Sequence, residues 1–328
     1  MDKLRLLAKR KGIALSDVGF GCWAIGGEFY FFDKYDGWGD IDDAESIKAI
    51  QKGYDMGVNF FDTADVYGVG HSETVLGQAV KDFRDKVVIA TKFGYTYDEK
   101  SKEIIGESVA PEYIDQALKA SLKRLNTDYI DIYQLHVGEI SNDKIGPMIF
   151  KLDQLVNDGL ILGYGWSTYN EKIVGNMALE KNAVAIQHSM NLFGGNSTLL
   201  NIAETHNLAS LNNSPLAMGL LSGKYTASSK ISGTDVRNSG FDWVQYFDNG
   251  VPKASFLKKL ENIREILTAD GRTLVQGALG YLLAVSDNNL PIPGFKNVKQ
   301  AVENAGTLQA TKMTKKQVDA IDSILKVK

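Results

Sequence analysis

Four polar side chains stand at the ends of three consecutive apolar segments of the sequence. Asp62 and Tyr67 follow NFF, Lys92 ends VVIATK, and His136 ends YIDIYQLH. Burial of such groups without partners costs several kcal/mol, so we expect them to lie together and to satisfy one another.

These four residue types are suited to proton transfer. A tyrosine has a pKa of about 10, which a neighbouring lysine cation lowers by stabilising the phenolate. An aspartate supplies the counter-charge that a buried lysine needs, and a histidine can orient a carbonyl oxygen or join a proton relay. The set therefore predicts a general acid beside a site for an electrophile.

Each residue also has a structural interpretation when it is taken alone. A strand-end aspartate often caps a turn, and a lone lysine is most often a solvated charge. Tyr67 could belong to an amphipathic core, and His136 could be a structural histidine. We interpret Asp65 as structural. The four residues named first lie together at three adjacent strand ends, and this coincidence favours a catalytic role for them.

A regular alternation of apolar and amphipathic segments supplies the elements that position these residues. Eight segments predict buried strands, with amphipathic helices between them: VGFGCW, VNFFD, KVVIATKFG, YIDIYQLH, ILGYGWS, AVAIQHSMNLF, LASLNNSPL and LPIPGF. This order predicts an α/β fold, a (β/α)₈ TIM barrel, whose active site lies at the carboxyl ends of the strands. We also expect an N-terminal β-hairpin over Leu4 to Leu15, a long loop insertion over residues 226–252 before the last strand, and one domain over residues 1–328.

The segment GFGCWA, residues 19–24, matches a dinucleotide-binding fingerprint and is the one argument for an open, doubly wound sheet. That fingerprint requires a helix directly behind it. The continuation IGGEFYFFDKYDGWGD is aromatic and glycine-rich without helical periodicity, so the barrel is favoured.

Composition excludes several classes of function. The chain has 328 residues and a net charge of −4, which gives no reason to expect binding to nucleic acid or to an anionic membrane. A single cysteine, Cys22, excludes an internal disulfide, and four scattered histidines argue against a metal site. No secretory signal or membrane-spanning segment is evident, so we expect a cytoplasmic protein.

The same segments resemble the aldo-keto reductase superfamily in order and spacing from Gly19 to about Gly306. GVNFFDTADVYGVGHSETVLG is similar to its first signature, VVIATKFG to its lysine segment and YIDIYQLH to its histidine strand. SPLAMGLLSGKY and IPGFKNVKQAVENAG resemble its cofactor-binding segments. The resemblance implies a (β/α)₈ barrel that binds a nicotinamide cofactor without a Rossmann fold.

The resemblance also implies roles for individual residues. Tyr67 would protonate the carbonyl oxygen, Lys92 would depress its pKa, Asp62 would pair with Lys92, and His136 would orient the substrate. Ser167, Thr168 and Gln187 match positions that hold the nicotinamide carboxamide. The segment Ser214 to Lys224 would wrap the pyrophosphate with backbone amides, through Ser214, Pro215, Leu216, Met218, Gly219, Leu220 and Lys224. The positions that match the adenosine end are Gly294, Lys296, Asn297, Gln300, Glu303 and Asn304. The rest of the implied cofactor site comprises Gly21, Trp23, Asn213 and Arg237.

Two departures from the family pattern concern the cofactor. Asn213 stands where the family often has an aromatic residue or an arginine, and an asparagine cannot stack on the nicotinamide. Gln300 stands where an arginine often contacts the 2′-phosphate of NADP, while Lys296 still provides a charge for that phosphate. We favour NADP(H) as the cofactor, with NAD(H) as the alternative. Arg237 could clamp cofactor phosphates or be a solvated charge.

Aromatic residues of the loops are candidates for the substrate pocket. They are Trp23, the run Phe29, Tyr30, Phe31 and Phe32, then Trp38, Tyr95, Trp243, Tyr246 and Phe247. An aromatic pocket with few polar groups suits small aldehydes, ketones or sugars. A lid or a protein interface is the alternative interpretation of the aromatic run.

The sequence favours an NADPH-dependent carbonyl reductase that reduces aldehydes or ketones, or catalyses the reverse oxidation. A second hypothesis is a redox-sensing regulatory subunit similar to channel β subunits, which would bind NADP(H) with little turnover. An isomerase or aldolase on the same barrel would need no nicotinamide, and the cofactor segments argue against it. The sequence does not specify the oligomeric state.

Overall fold

The fold of the protein was analysed in a computed structural model that describes residues 1–31 and 33–326. Phe32, one of the predicted pocket residues, therefore lies outside the described residues.

Eight parallel strands form a barrel in the described part of the chain, as the sequence predicts. In chain order they are β1 (Phe20–Gly21), β2 (Phe60–Asp62), β3 (Val88–Phe93), β4 (Ile130–Leu135), β5 (Ile161–Ser167), β6 (Ala183–Asn191), β7 (Ala209–Asn213) and β8 (Asn289–Pro291). Each pairs with the next in parallel register. Backbone bonds from Gly19 N to Pro291 O (3.0 Å) and from Gly21 N to Pro293 O (3.1 Å) close the barrel between β8 and β1.

One helix precedes the barrel, and the others follow the strands in the order that the hydrophobic periodicity predicts. They are α1 (Lys3–Arg10), α2 (Asp43–Asp55), α3 (His71–Val80), α4 (Pro111–Leu125), α5 (Asn142–Asn157), α6 (Glu171–Met177), α7 (Ser197–Thr205), α8 (Ala254–Thr268), α9 (Leu274–Val285), α10 (Val298–Ala305) and α11 (Lys315–Leu325). The segment after β1 forms only a 3₁₀ turn, Trp23–Ile25, which removes the helix that a dinucleotide fingerprint needs.

The N-terminal hairpin is displaced from its predicted position. A hairpin pairs Tyr30–Phe31 with Lys34–Tyr35, whereas the predicted span, Leu4 to Leu15, begins with helix α1. Leu4, Leu7 and Ala8 have helical spacing and are buried in the cluster that fills the barrel. Asp2 caps this helix by accepting a hydrogen bond from Arg5 N at 2.7 Å. The helix therefore closes the end of the barrel opposite the carboxyl ends of the strands.

A second small sheet lies beside the hairpin and was not predicted. Tyr95–Asp98 and Glu103–Glu107 pair as antiparallel strands, and the second of them pairs in parallel with Tyr30–Phe31. This sheet brings the loop after β3 against the loop after β1, on the side where the strands carry their polar residues.

The predicted insertion between β7 and β8 is present. It contains a 3₁₀ turn, Val236–Asn238, and a two-stranded ribbon of Phe247–Asp248 and Val251–Pro252. Its Val236, Val244 and Phe247 belong to a hydrophobic cluster with α8 and α9, so the insertion is packed against the barrel. Among the described residues, no helix is both long and apolar enough to cross a membrane.

Candidate active site

Strand periodicity places a polar layer in the barrel interior above an apolar one. Phe60, Ala90, Ile132 and Ala185 belong to the same buried cluster inside the barrel. Because side chains two residues apart point to the same face of a strand, the next inward positions are Asp62, Lys92, Gln134 and Gln187. The register, in which Lys92 pairs with Gln134 and Asp62 with Ala90, keeps them close.

The ammonium group of Lys92 is the centre of this layer. Lys92 is fully buried, and its Nζ donates hydrogen bonds to Asp62 Oδ2 at 2.7 Å, to Thr63 O at 2.7 Å and to the Tyr67 hydroxyl at 3.3 Å. The three donors of an ammonium are thus all used, which a buried cation requires.

Asp62 is held by two amides in addition to Lys92. Gln134 Nε2 donates to Asp62 Oδ1 at 3.0 Å, and Gln187 Nε2 donates to the same oxygen at 2.8 Å. The carboxylate therefore has partners on both oxygens, and its burial follows from the presence of the lysine. Gln134 has no assigned role in the sequence analysis, although its spacing two residues before His136 places it in the barrel interior.

Tyr67 has a raised pKa in the resting site. Burial, followed by the charge of Asp62, raises the pKa of Tyr67 well above its ordinary value. That Lys92 lowers this pKa stays a prediction, because burial and Asp62 dominate the net direction. The hydroxyl therefore stays protonated at neutral pH, and Lys92 is positioned to stabilise negative charge when the proton leaves.

His136 lies at the edge of the tyrosine as a neutral imidazole. Its ring centroid is 5.8 Å from that of Tyr67, with the planes nearly perpendicular. Burial and then the charge of Lys92 lower the pKa of His136 well below its ordinary value. Its Nδ1 is buried and has no hydrogen-bond partner among the described residues. The ring can therefore form a hydrogen bond with another molecule.

Three indoles form a wall beside Tyr67. The Trp23 ring lies 6.0 Å from the Tyr67 ring in a stacked arrangement, 5.1 Å from Trp38 and 6.0 Å from Trp243. On the other side, Tyr95 packs 5.4 Å from the His136 ring. Trp23 therefore lies against the candidate acid, Trp38 and Trp243 pack on Trp23, and Tyr95 packs on His136. Their role as a substrate pocket stays a prediction.

The other predicted pocket residues have different surroundings. Tyr30 packs against Tyr35 at the exposed edge of the small sheet and bonds to Glu28. Phe247 is buried in the insertion against Tyr225. Neither makes a ring contact with the indole wall in the described residues, because both are directed into the local packing of their own loops.

Polar groups predicted to hold the carboxamide already have protein partners. The Thr168 hydroxyl donates to Gly138 O at 2.8 Å, while the Gln187 amide donates to Asp62. Ser167, at the end of β5, is half-buried and forms no side-chain hydrogen bond within the described chain. Of these three residues, Ser167 is therefore the one whose side chain can still form a hydrogen bond with another molecule.

The segment predicted to wrap the pyrophosphate has a strained backbone. Ser214, Ala217 and Met218 have φ angles of 51°, 49° and 56°, and Gly219 follows at 88°. Residues other than glycine seldom adopt such angles, and these conformations concentrate where a backbone clamps a ligand. Asn213 lies at the end of β7, directly before this segment. The other predicted residues of the segment are Pro215, Leu216, Leu220 and the exposed Lys224.

Arg237 is not the solvated charge that was one of its two interpretations, and its role towards cofactor phosphates stays a prediction. The side chain is buried and forms a bidentate pair with Asp235, at 2.8 Å from Nε and 2.5 Å from Nη2. It also donates to Met218 O at 3.2 Å, and its guanidinium lies 4.8 Å from the Trp38 ring centroid. Arg237 therefore joins the insertion to the strained segment and to the indole wall.

The residues predicted for the adenosine end lie around the start of α10. Lys296 is half-buried, its Nζ donates to Trp38 O at 2.7 Å, and burial lowers its pKa. Asn297 caps α10, and Gln300 Oε1 accepts a hydrogen bond from Lys296 N at 2.8 Å. The remaining members are Gly294, which forms a parallel bridge with Gly21, Asn304, which donates to Gly294 O, and the half-buried Glu303.

Comparison with known proteins identifies the fold and the family. The family model described as "Aldo/keto reductase family" matches residues 17–326. The chain belongs to the aldo/keto reductase family. The structural neighbours confirm the (β/α)₈ barrel, and the family assignment makes the protein an oxidoreductase of the class that acts on small carbonyl compounds.

Individual relatives of this aldo-keto reductase share nearly its whole length. It is 29% identical to "Uncharacterized oxidoreductase YqkF" of Bacillus subtilis, over 94% of this chain and 92% of that one. It is 30% identical to "Aldo-keto reductase yakc [NADP(+)]" of Schizosaccharomyces pombe, over 89% and 83%. Among solved structures, glycerol dehydrogenase AKR11B4 from Gluconobacter oxydans matches with a TM-score of 0.79 and 28% identity, over 95% and 91%.

Two buried aspartates three residues apart allow a test of the ion pair. Asp65 is buried without a partner for Oδ1 in the described structure, and burial, then Glu73, raise its pKa well above the usual range. Asp62→Asn leaves Lys92 without a counter-charge, so we expect a loss of about 3 kcal/mol in unfolding free energy. Asp65→Asn alters a buried carboxyl that forms no ion pair in the described structure, so a loss below about 1 kcal/mol is expected. Denaturant unfolding of both variants at pH 7 is the measurement, and equal losses would contradict the central role of the pair.

Proposed function

We propose that the protein is an NADP(H)-dependent oxidoreductase that reduces small aldehydes or ketones to alcohols, or catalyses the reverse reaction. The observation that carries this proposal is the hydrogen bond from the Asp62-paired ammonium of Lys92 to the hydroxyl of Tyr67. Around this hydroxyl stand a neutral histidine and three indoles, which suits an uncharged carbonyl compound.

The residues at the carboxyl ends of β1, β5, β7 and β8 fit a nicotinamide dinucleotide. At Gly21 a Cβ atom would lie 2.8 Å from Ile292 O, so the backbone there has no space for a side chain. The strained Ser214–Gly219 backbone and the ammonium of Lys296 would hold the phosphates, and Ser167 would hold the carboxamide. When bound, this cofactor supplies the hydride that reduces the carbonyl carbon.

The chain itself supplies the proton. Tyr67 donates its hydroxyl proton to the carbonyl oxygen, and the electron pair of the broken O–H bond stays on the phenolate oxygen. Lys92 stabilises that phenolate as it forms, and Asp62, held by Gln134 and Gln187, keeps the ammonium in place. Neutral His136 can donate a hydrogen bond to the same carbonyl oxygen and so fix its direction.

Relatives support the cofactor and the class of substrate. The name of the Schizosaccharomyces pombe relative includes NADP(+). The Gluconobacter oxydans structure is a glycerol dehydrogenase, which acts on a small polyol. These names describe those proteins, and their extension to this chain is part of the proposal.

Removal of the Tyr67 hydroxyl tests the proton donor. Tyr67→Phe is expected to lower kcat for NADPH-dependent aldehyde reduction about 100-fold or more, because general acid catalysis contributes factors of this size. The Kd for NADPH should stay at the wild-type value, since the hydroxyl acts on substrate. Tyr129→Phe is the matched control, because Tyr129 precedes β4 at the opposite end of the barrel. Nearly full activity in Tyr67→Phe would contradict the assignment, and cofactor binding without turnover in the wild type would favour the regulatory-subunit alternative.

A lysine pair tests the preference for NADP(H). Lys296→Ala removes a half-buried ammonium, whereas Lys299→Ala removes an exposed one a turn away on α10. We expect Lys296→Ala to weaken NADPH binding about tenfold more than NADH binding, because only NADPH carries the additional phosphate. Lys299→Ala should affect neither cofactor. Equilibrium titration monitored by fluorescence measures both, and equal losses of NADPH and NADH affinity in Lys296→Ala would exclude Lys296 from phosphate recognition.

A further inference from the structure

Asp36 lies in the loop that covers the indole wall and has no role assigned from the sequence. Its backbone is fixed on both sides: Asp36 N donates to Phe29 O at 2.9 Å, and Asp36 O accepts a hydrogen bond from Trp23 Nε1 at 3.4 Å. Because the Trp23 ring stacks on Tyr67, this loop is held directly beside the candidate acid.

The carboxyl group of Asp36 is close enough to Tyr67 and Tyr95 to affect their ionisation. Its charge contributes to the raised pKa of Tyr67, after burial and Asp62, and to that of Tyr95, which burial and then Glu107 and Asp36 raise to about 12. Burial also raises the pKa of Asp36 to about 7. Together with the hydrogen bond from Trp23 Nε1 to Asp36 O, these effects place Asp36 next to the pocket.

Asp36 also has unused hydrogen-bonding capacity. Its Oδ1 is enclosed by protein and has no hydrogen-bond partner in the described residues, in contrast to Asp62, whose two oxygens have three. An enclosed carboxylate oxygen without a donor is destabilising, because it has lost its hydrogen bonds to water without gaining any from the protein. Trp38 Nε1 and His136 Nδ1 lie around the same pocket and are likewise buried and unpartnered within the described chain. Among the described residues, the pocket therefore has one unused hydrogen-bond acceptor, Asp36 Oδ1, and two further unpartnered polar atoms. A simple alkyl aldehyde, whose one polar atom is the carbonyl oxygen, would leave this acceptor without a donor.

We propose that Asp36 is a substrate-binding residue that accepts a hydrogen bond from a hydroxyl group of the substrate, so that hydroxyaldehydes and hydroxyketones are the preferred carbonyl compounds. This inference rests on the proposed function and specifies its substrate class. A hydroxyl next to the carbonyl satisfies the enclosed oxygen, whereas an alkyl chain leaves it without a partner. A carboxylate-bearing substrate is disfavoured, because it places a second negative charge near Asp36.

The test compares two aldehydes with the same carbon chain, DL-glyceraldehyde and propionaldehyde, as substrates with NADPH. Asp36→Leu is similar in size and has no acceptor, and Asp36→Asn keeps a carbonyl acceptor. We expect Asp36→Leu to lower kcat/KM for glyceraldehyde at least about tenfold while propionaldehyde stays near the wild-type value. Asp36→Asn should retain most of the preference for glyceraldehyde. Asp33→Asn, at an exposed position of the same loop, should change neither value.

The ratio of the two kcat/KM values separates recognition from a structural effect, because a displaced loop would impair both aldehydes. An equal loss for both substrates, or no change for either, would overturn the role of Asp36. Wild-type reduction of propionaldehyde that is lost in Tyr67→Phe supports the proposed function independently of Asp36. If the wild type reduces neither aldehyde, the proposed function and the inference both fail. If it reduces both and Asp36→Leu leaves their ratio unchanged, only the inference fails.

Discussion

The buried ion pair of Lys92 and Asp62 is the interaction on which the rest of the site depends. An ammonium that is fully buried must have every donor occupied, and the barrel meets this requirement with one carboxylate, one backbone carbonyl and one phenol. Gln134 and Gln187 come from two other strands to hold the carboxylate. Only a closed parallel barrel brings these strand ends together at one depth, so the fold is a condition for the chemistry.

The same pair determines how the tyrosine acts. Because burial and then the charge of Asp62 raise its pKa, Tyr67 is not ionised at neutral pH in the resting site. Lys92 therefore stabilises negative charge only when the proton leaves Tyr67 and charge develops on the phenolate. Because this stabilisation acts in the transition state, it lowers the activation free energy. His136, kept neutral by burial and Lys92, adds no competing positive charge.

Local periodicity made much of the fold and the core of the site predictable. The apolar segments end in Asp62 and Lys92, so the sequence alone assigns both residues to the carboxyl end of the barrel. Helix α1 was not predicted, because its eight residues are too few for the spacing of Leu4, Leu7 and Ala8 to distinguish a helix from a hairpin. The direction of the Tyr67 pKa and the position of Asp36 depend on burial by distant loops, which single-strand patterns do not encode. Arg237, in an insertion without regular periodicity, likewise became interpretable only through its contacts with Asp235 and Met218.

The most direct test of this account is the pH dependence of the first turnover of NADPH oxidation with saturating propionaldehyde. A single-turnover rate constant reports on the chemical step without product release. With the pKa of Tyr67 raised, the acid is protonated throughout, and the rate constant should be constant from pH 6 to about 9. In Lys92→Met the rate constant should be much lower at every pH in this range. A wild-type rate constant that falls with a midpoint near neutral pH, and that falls in the same way in Asp36→Asn, would show that Tyr67 ionises there, and would contradict the claim that Lys92 acts on the phenolate only as it forms.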